Sequence, residues 1–159
     1  MNGIELALRT LYEGERHLIG ALADLATRHR AEHEVHHVAA DVSRWSEDHV
    51  ERLREAAARH GLYLDKGQDT RVAAFGPGHP ATPSTPPEPG LLLLRDLREV
   101  HVAATRNSLH WEMLAQVAQA SRDSELLSLA SSCISRTLRQ MRWTDTMIKN
   151  LSPQVLTAL

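Results

Sequence analysis

Cysteine, aromatic rings and blocks of like charge are all scarce in this chain. A single cysteine, Cys133, rules out an internal disulfide and fits a reducing compartment. Aromatics make up 4% of the residues against 42% hydrophobic overall, so the core must be built from Leu, Ala, Val and Ile, which favours helices over sheets. Eighteen basic residues stand against 20 acidic ones, with no long run of either sign. Electrostatics therefore gives no reason to expect nucleic acid or an anionic membrane surface as partner. The longest apolar run of the second half, Leu91 to Leu94, is far too short to span a bilayer. Met1 to Glu5 has no basic stretch leading into an apolar one, so the expectation is a cytoplasmic protein without a signal peptide.

What is present is helical periodicity. The first helix is predicted over about Gly3 to Arg28, with Ile4, Leu8, Leu11, Glu15, Leu18, Leu22 and Leu25 stepping inward by threes and fours. Asn2 with Glu5 three residues later matches a capping box. The second helix is predicted over about Ala31 to His60, with Val35, Val38, Val42, Trp45, His49, Leu53 and Ala56 inward and Gly61 as its stop. A short connection makes these two antiparallel neighbours.

Residues 62–88 break the pattern. Six prolines fall from Pro77 to Pro89, and proline removes a backbone donor and clashes with the preceding turn. This stretch reads as an extended crossover inside one domain, 1–159, because neither half alone can bury both sides of its helices. The third helix is predicted from about Pro89 to Ala120, with Leu93, Leu97, Val100, Ala104, Asn107, Trp111, Leu114 and Ala118 inward. Ser121 to Asp123 supplies the next N-cap. The fourth helix runs to about Asn150, with Leu126, Ala130, Cys133, Thr137, Met141, Thr144 and Ile148 inward, and Ser152-Pro153 is expected to end it. The fold class is all-α: an antiparallel four-helix bundle of two helical hairpins joined by one long Pro-rich crossover.

Glu15 and His49 are the exceptions within their stripes. A carboxylate and an imidazole facing a bundle core are the sequence pattern of a buried metal site. The segment Leu11-Tyr12-Glu13-Gly14-Glu15-Arg16-His17-Leu18, with Asp48-His49-Val50-Glu51-Arg52-Leu53 ahead of a helix end, resembles the ferritin-like and rubrerythrin-like superfamily. Within it the chain is similar to the small bacterial stress-associated ferritin-like proteins of two helical hairpins. The resemblance implies a di-metal site with one Glu on each of the first and third helices and a Glu-x-x-His on each of the others.

Carried over residue by residue, Glu15 matches the first carboxylate and His49 the histidine of the second helix. The glutamate position before His49 is Ser46. On the third helix the candidate positions hold Ala103, Arg106 or Asn107, and Leu109 or His110. On the fourth, the Glu-x-x-His register falls on Thr137 and Gln140. Two ligands of six survive. Two divalent cations beside one carboxylate leave a large uncompensated charge in a low-dielectric core, so the di-iron site is read as degenerate.

The leading expectation is a buried hydrogen-bonded pair, His49 to Glu15, completed by Ser46, Asn107, Thr137 and Gln140. The alternative is a single iron or zinc ion held by Glu15, His49 and one further imidazole, His110 or His101. In the remaining case one of the two residues faces solvent.

Four histidines, His29, His33, His36 and His37, cluster around the start of the second helix. His33 and His37, four apart, share a face and could hold a transition metal, with His29 joining them only if the helix begins earlier. A solvated helix end is the plainer reading. A three-histidine site of the hemerythrin or thiol-transferase kind finds only His101 and His110 on later helices, too far apart to chelate one ion. Trp45 and Trp111 are expected to fill core space rather than to form an electron-transfer set with Trp143. Cys133 is expected to be inert packing, with Arg136 its nearby cation. Arg136, Arg139 and Arg142 form a basic strip that suits a solvated face, an acidic partner or a second subunit.

The functional expectation is a non-catalytic bundle with a structural, regulatory or protein-interaction role, as a homodimer or with a partner protein, and with no cofactor. Its alternative is a metal-binding oxidase or storage protein using the reduced ligand set around Glu15 and His49. A third option is a bundle binding a small apolar ligand where the metals would sit.

Overall fold

The computed structural model describes residues 3–67, 70–75 and 88–159. All regular secondary structure in these residues is helical: α1 (Gly3–Arg28), α2 (His33–Arg59), α3 (Thr70–Phe75), α4 (Pro89–Ala120) and α5 (Ser124–Thr157). The proposed Asn2 cap and residues 76–87 of the crossover lie outside the described residues. No helix among the described residues is long and apolar enough to cross a membrane.

The stripes place the four long helices and supply most of what they bury, with Ile4, Val38, Trp45, Met141 and Ile148 only partly buried. Leu8, Leu11, Glu15, Leu18, Leu22 and Leu25 of α1 are all buried, and so are all eight inward residues expected on α4. Burying a leucine side chain is worth about 1.5–3 kcal/mol, so each stripe outweighs the modest helix propensity of its polar face.

Cross-helix contacts give the directions. Ala26 meets His36, Glu15 meets His49 and Tyr12 meets Arg54, so α1 and α2 run antiparallel. His101 against Thr144 and Gly90 against Val155 set α4 and α5 antiparallel as well. Arg28 with Asp96 and Glu15 with Trp111 pair α1 with α4, and Val42 with Gln140 and Arg52 with Ser132 pair α2 with α5. Each long helix thus has two antiparallel neighbours, and α2 and α4 point the same way. The chain must therefore return along the full length of the helices between them. Here the structure adds an element that periodicity did not show: α3 lies on this path, packs on α1 and accepts a contact from His110 at the Phe75 carbonyl. The start of the return is pinned by Arg54, which donates to Tyr12 Oη and Asp65 Oδ1 at 3.2 Å each, while Tyr12 also bonds Asp65. These bonds, the tyrosine's first, hold the Asp65 carboxyl below its ordinary range.

Two helix ends share one stop geometry. Gly61 at φ +71° closes α2, with Leu62 N–H on Ala57 O and Gly61 N–H on Ala58 O, a Schellman arrangement. The same pattern closes α4, but with Arg122 at φ +55° in the left-handed position. Asp123 then caps α5 at once, its carboxylate accepting from Leu126 N–H at 3.1 Å. A side chain at that φ costs about 1 kcal/mol that glycine avoids, so Arg122→Gly should raise stability by roughly 0.5–1 kcal/mol in a urea titration. Loss of stability on that change would show that the Arg122 side chain contributes more than its strain.

One boundary departs from expectation. Ser152-Pro153 does not end α5, which continues to Thr157. Proline forfeits one hydrogen bond to the carbonyl four residues back, but the last turns are held by packing: Leu151 leans on the core, and Val155 stands against Gly90 so closely that no Cβ fits there. Ser152 Oγ also donates to Ile148 O at 2.5 Å.

Candidate functional site

The buried apolar side chains fall into two clusters. One, around Leu11, Leu53, Leu114 and Leu126, lies towards the α2 C-terminus; the other, around Leu22, Val35, Leu97 and Met147, lies towards the α1–α2 turn. Between them sits a polar layer to which all four long helices contribute. Glu15, Ser46, His49, Thr137 and Thr144 are fully buried, and Asn107 and Gln140 are 1% exposed.

Glu15 is the hub of this layer. Its Oε1 lies 3.1 Å from His49 Nδ1 and accepts from Trp111 Nε1 at 2.9 Å. The Trp111 ring meets the His49 ring edge-on, with centroids 5.6 Å apart. Helical spacing makes this possible: Glu15 takes the place of a leucine between Leu11 and Leu18, and Trp111 takes one between Asn107 and Leu114. Asn107 Nδ2 donates to the Gly14 carbonyl at 3.1 Å. A Cβ at Gly14 would run into Asn107 Oδ1, so glycine here is what lets α1 and α4 close on the layer. On the other side, Gln140 Nε2 donates to Val42 O at 3.0 Å and to Ser46 Oγ at 2.9 Å. Thr137 Oγ1 returns to its own helix, at Cys133 O.

The expected His49–Glu15 pair forms, but Ser46, Asn107, Thr137 and Gln140 share its layer without hydrogen-bonding to either member, and three atoms of the layer stay unmatched. Glu15 Oε2, His49 Nε2 and Gln140 Oε1 are buried without a hydrogen-bond partner among the described residues. With His49 donating from Nδ1, each of the three presents a lone pair. An ion held by Glu15 and His49 together would have to compete with their own hydrogen bond, because Nε2 lies on the side of the ring away from Nδ1. The two imidazoles considered as further ligands are engaged elsewhere. His110 Nε2 lies 3.1 Å from Phe75 O, and His101 Nδ1 lies 2.8 Å from Thr144 Oγ1. Burial in this setting lowers the pKa of His110. Among the described residues, no group of three or more His, Cys, Asp or Glu side chains is placed to hold a metal ion.

Cys133 is buried, and burial pushes its thiol up to about 12, so the reactive thiolate is disfavoured. Its nearest cation is Arg52, 3.8 Å from Sγ, while Arg136 pairs with Asp48 at 2.7 Å. Trp111 fills core space as expected; Trp45 and Trp143 are only partly buried, against the second cluster.

A second buried polar contact was not visible as a pair in the sequence. Asp96 of α4, 6% exposed, takes His29 Nε2 at 2.8 Å and Arg28 Nη1 at 3.0 Å. The helix begins at His33, so His29 leaves the histidine cluster and anchors the α1–α2 turn on α4. In the sequence Asp96 is one charge within Arg95-Asp96-Leu97-Arg98-Glu99, and nothing there marks it as buried or names a partner. No family model matches the chain, and neither a curated protein nor a solved structure matches it.

Proposed function

We propose that the chain is a non-catalytic, ferritin-like four-helix bundle in which a di-metal centre has given way to a hydrogen-bonded polar layer, and that its role is structural, regulatory or one of protein interaction. The observation that carries this is the donor set at mid-bundle. One carboxylate and one imidazole remain there, bonded to each other, and Ser46, Asn107, Thr137 and Gln140 complete the layer with neutral groups. Those residues do not fit two divalent cations, whose combined charge one carboxylate cannot offset in a low-dielectric interior. The antiparallel pairings and the end-to-end return past α3 support the bundle topology. Self-association or a partner protein belongs to the same reading; Val102, Leu109 and Met113 on α4 are exposed apolar side chains.

A second reading, a metal-binding oxidase or storage protein using Glu15 and His49, is favoured by the three unmatched lone pairs of the layer. Elemental analysis separates the two. Protein produced in iron- and zinc-supplemented medium and desalted through a chelator should carry close to no metal per chain. One tightly held ion per chain, lost in His49→Ala, would replace the first reading with the second.

A further inference from the structure

We propose that His33 and His37 form an exposed two-histidine clamp for a borderline transition-metal dication such as Ni²⁺, Zn²⁺ or Cu²⁺, at the outer surface of α2 near the α1–α2 turn. The proposal stands apart from the polar layer and does not depend on how that layer is read.

Four histidines gather at this end, and the structure divides them. His29 is spent on Asp96, and His36 Nδ1 lies 2.7 Å from Ala26 O. His33 and His37 are both exposed and lie one turn apart. Their rings are nearly parallel, at 11°, with centroids 6.2 Å apart. The edge of the His36 ring packs against His37, with centroids 5.1 Å apart, and limits where that imidazole can swing.

Imidazole nitrogens bind these metals at about 2.0–2.1 Å, and a His pair four residues apart on a helix face is a spacing that lets one ion take both. A modest rotation of two solvent-exposed side chains brings the rings from stacking to convergence. Charge near the site is mixed: Glu34 sits in the first turn and Asp41 one turn beyond His37, the latter 3.6 Å from Arg44. Two protein ligands leave the other coordination positions to water or to an exchangeable ligand, so the clamp captures rather than buries its ion. Because the site exists only when these residues are helical, binding also stabilises the folded chain.

The test uses the full chain, stripped with chelator and titrated with Ni²⁺ at neutral pH by calorimetry, with thermal unfolding as a second readout. One ion per chain and a metal-dependent rise in Tm are expected. His33→Ala and His37→Ala should each weaken binding by roughly tenfold or more and abolish the rise in Tm, as expected when a chelate is reduced to one ligand. The double substitution His37→Ala/Arg44→His keeps the number of histidines but places the new one on an exposed position eight residues from His36 and eleven from His33, and it should bind as weakly as His37→Ala alone. Equal binding by that variant and by the natural sequence would mean an adventitious ion only and would overturn the proposal. Unchanged binding in either single variant would do the same, as would binding lost in His49→Ala, which would move the ion to the core. Binding unaffected by His49→Ala supports the clamp.

Discussion

Trp111→Ala should lower stability by about 3–5 kcal/mol, the cost of emptying a fully buried tryptophan position in a core that can only partly collapse. Trp111 is fully buried and touches both the first apolar cluster and the polar layer, so two kinds of loss coincide. Trp111→Phe keeps a ring while deleting the Nε1–H that bonds Glu15. It should cost about 1–2 kcal/mol, since a buried acceptor loses one of its two donors. Urea unfolding with an unchanged slope checks both values. If the phenylalanine variant is as stable as the natural protein, the hydrogen bond to Glu15 contributes nothing and the ring alone matters.

Glu15→Ala should cost about 1–3 kcal/mol, because His49 and Trp111 both lose their acceptor inside the core. Glu15→Gln should cost less, since an amide oxygen can still accept from either donor. Equal and negligible effects would show that the pair does not exist. The layer as a whole should behave differently from its parts. Replacing a buried polar cluster by apolar side chains of similar volume is often neutral or stabilising. The triple variant Glu15→Met, His49→Leu, Trp111→Phe should therefore recover most of what the single substitutions lose. A triple variant less stable than Glu15→Ala would mean that the layer contributes net stability and not merely the register of the helices.

Which parts of this were legible beforehand follows from what each feature depends on. Stripes depend on spacing along one helix, so Leu8 to Leu25 and Leu93 to Ala118 could be read directly. Glu15 and His49 stood out because each interrupts such a stripe, and their pairing followed because two buried polar groups on neighbouring helices need each other. Trp111 looked apolar in its stripe, and the nitrogen that engages Glu15 left no mark on the periodicity. Gln140 was expected within the polar network, but its particular bonds to Val42 and Ser46 depend on the distance between α2 and α5. Asp96 with His29 was missed because the pair spans 67 residues and one member sits in a turn. Pro153 misled because its local cost is real but smaller than the packing of Leu151 and Val155 beyond the expected end.

The layer also bears on the order in which the molecule assembles. Glu15 and His49 are 34 residues apart and meet within the first hairpin, whereas Glu15 and Trp111 are 96 apart, and Asn107 and Gly14 are 93 apart. Hairpin contacts close short loops early; the longer ones wait until the two hairpins have met. A carboxylate desolvated before its indole donor arrives is a penalty carried by every half-docked state. The second hydrogen bond of Glu15 is thus one that only docked, in-register hairpins can supply.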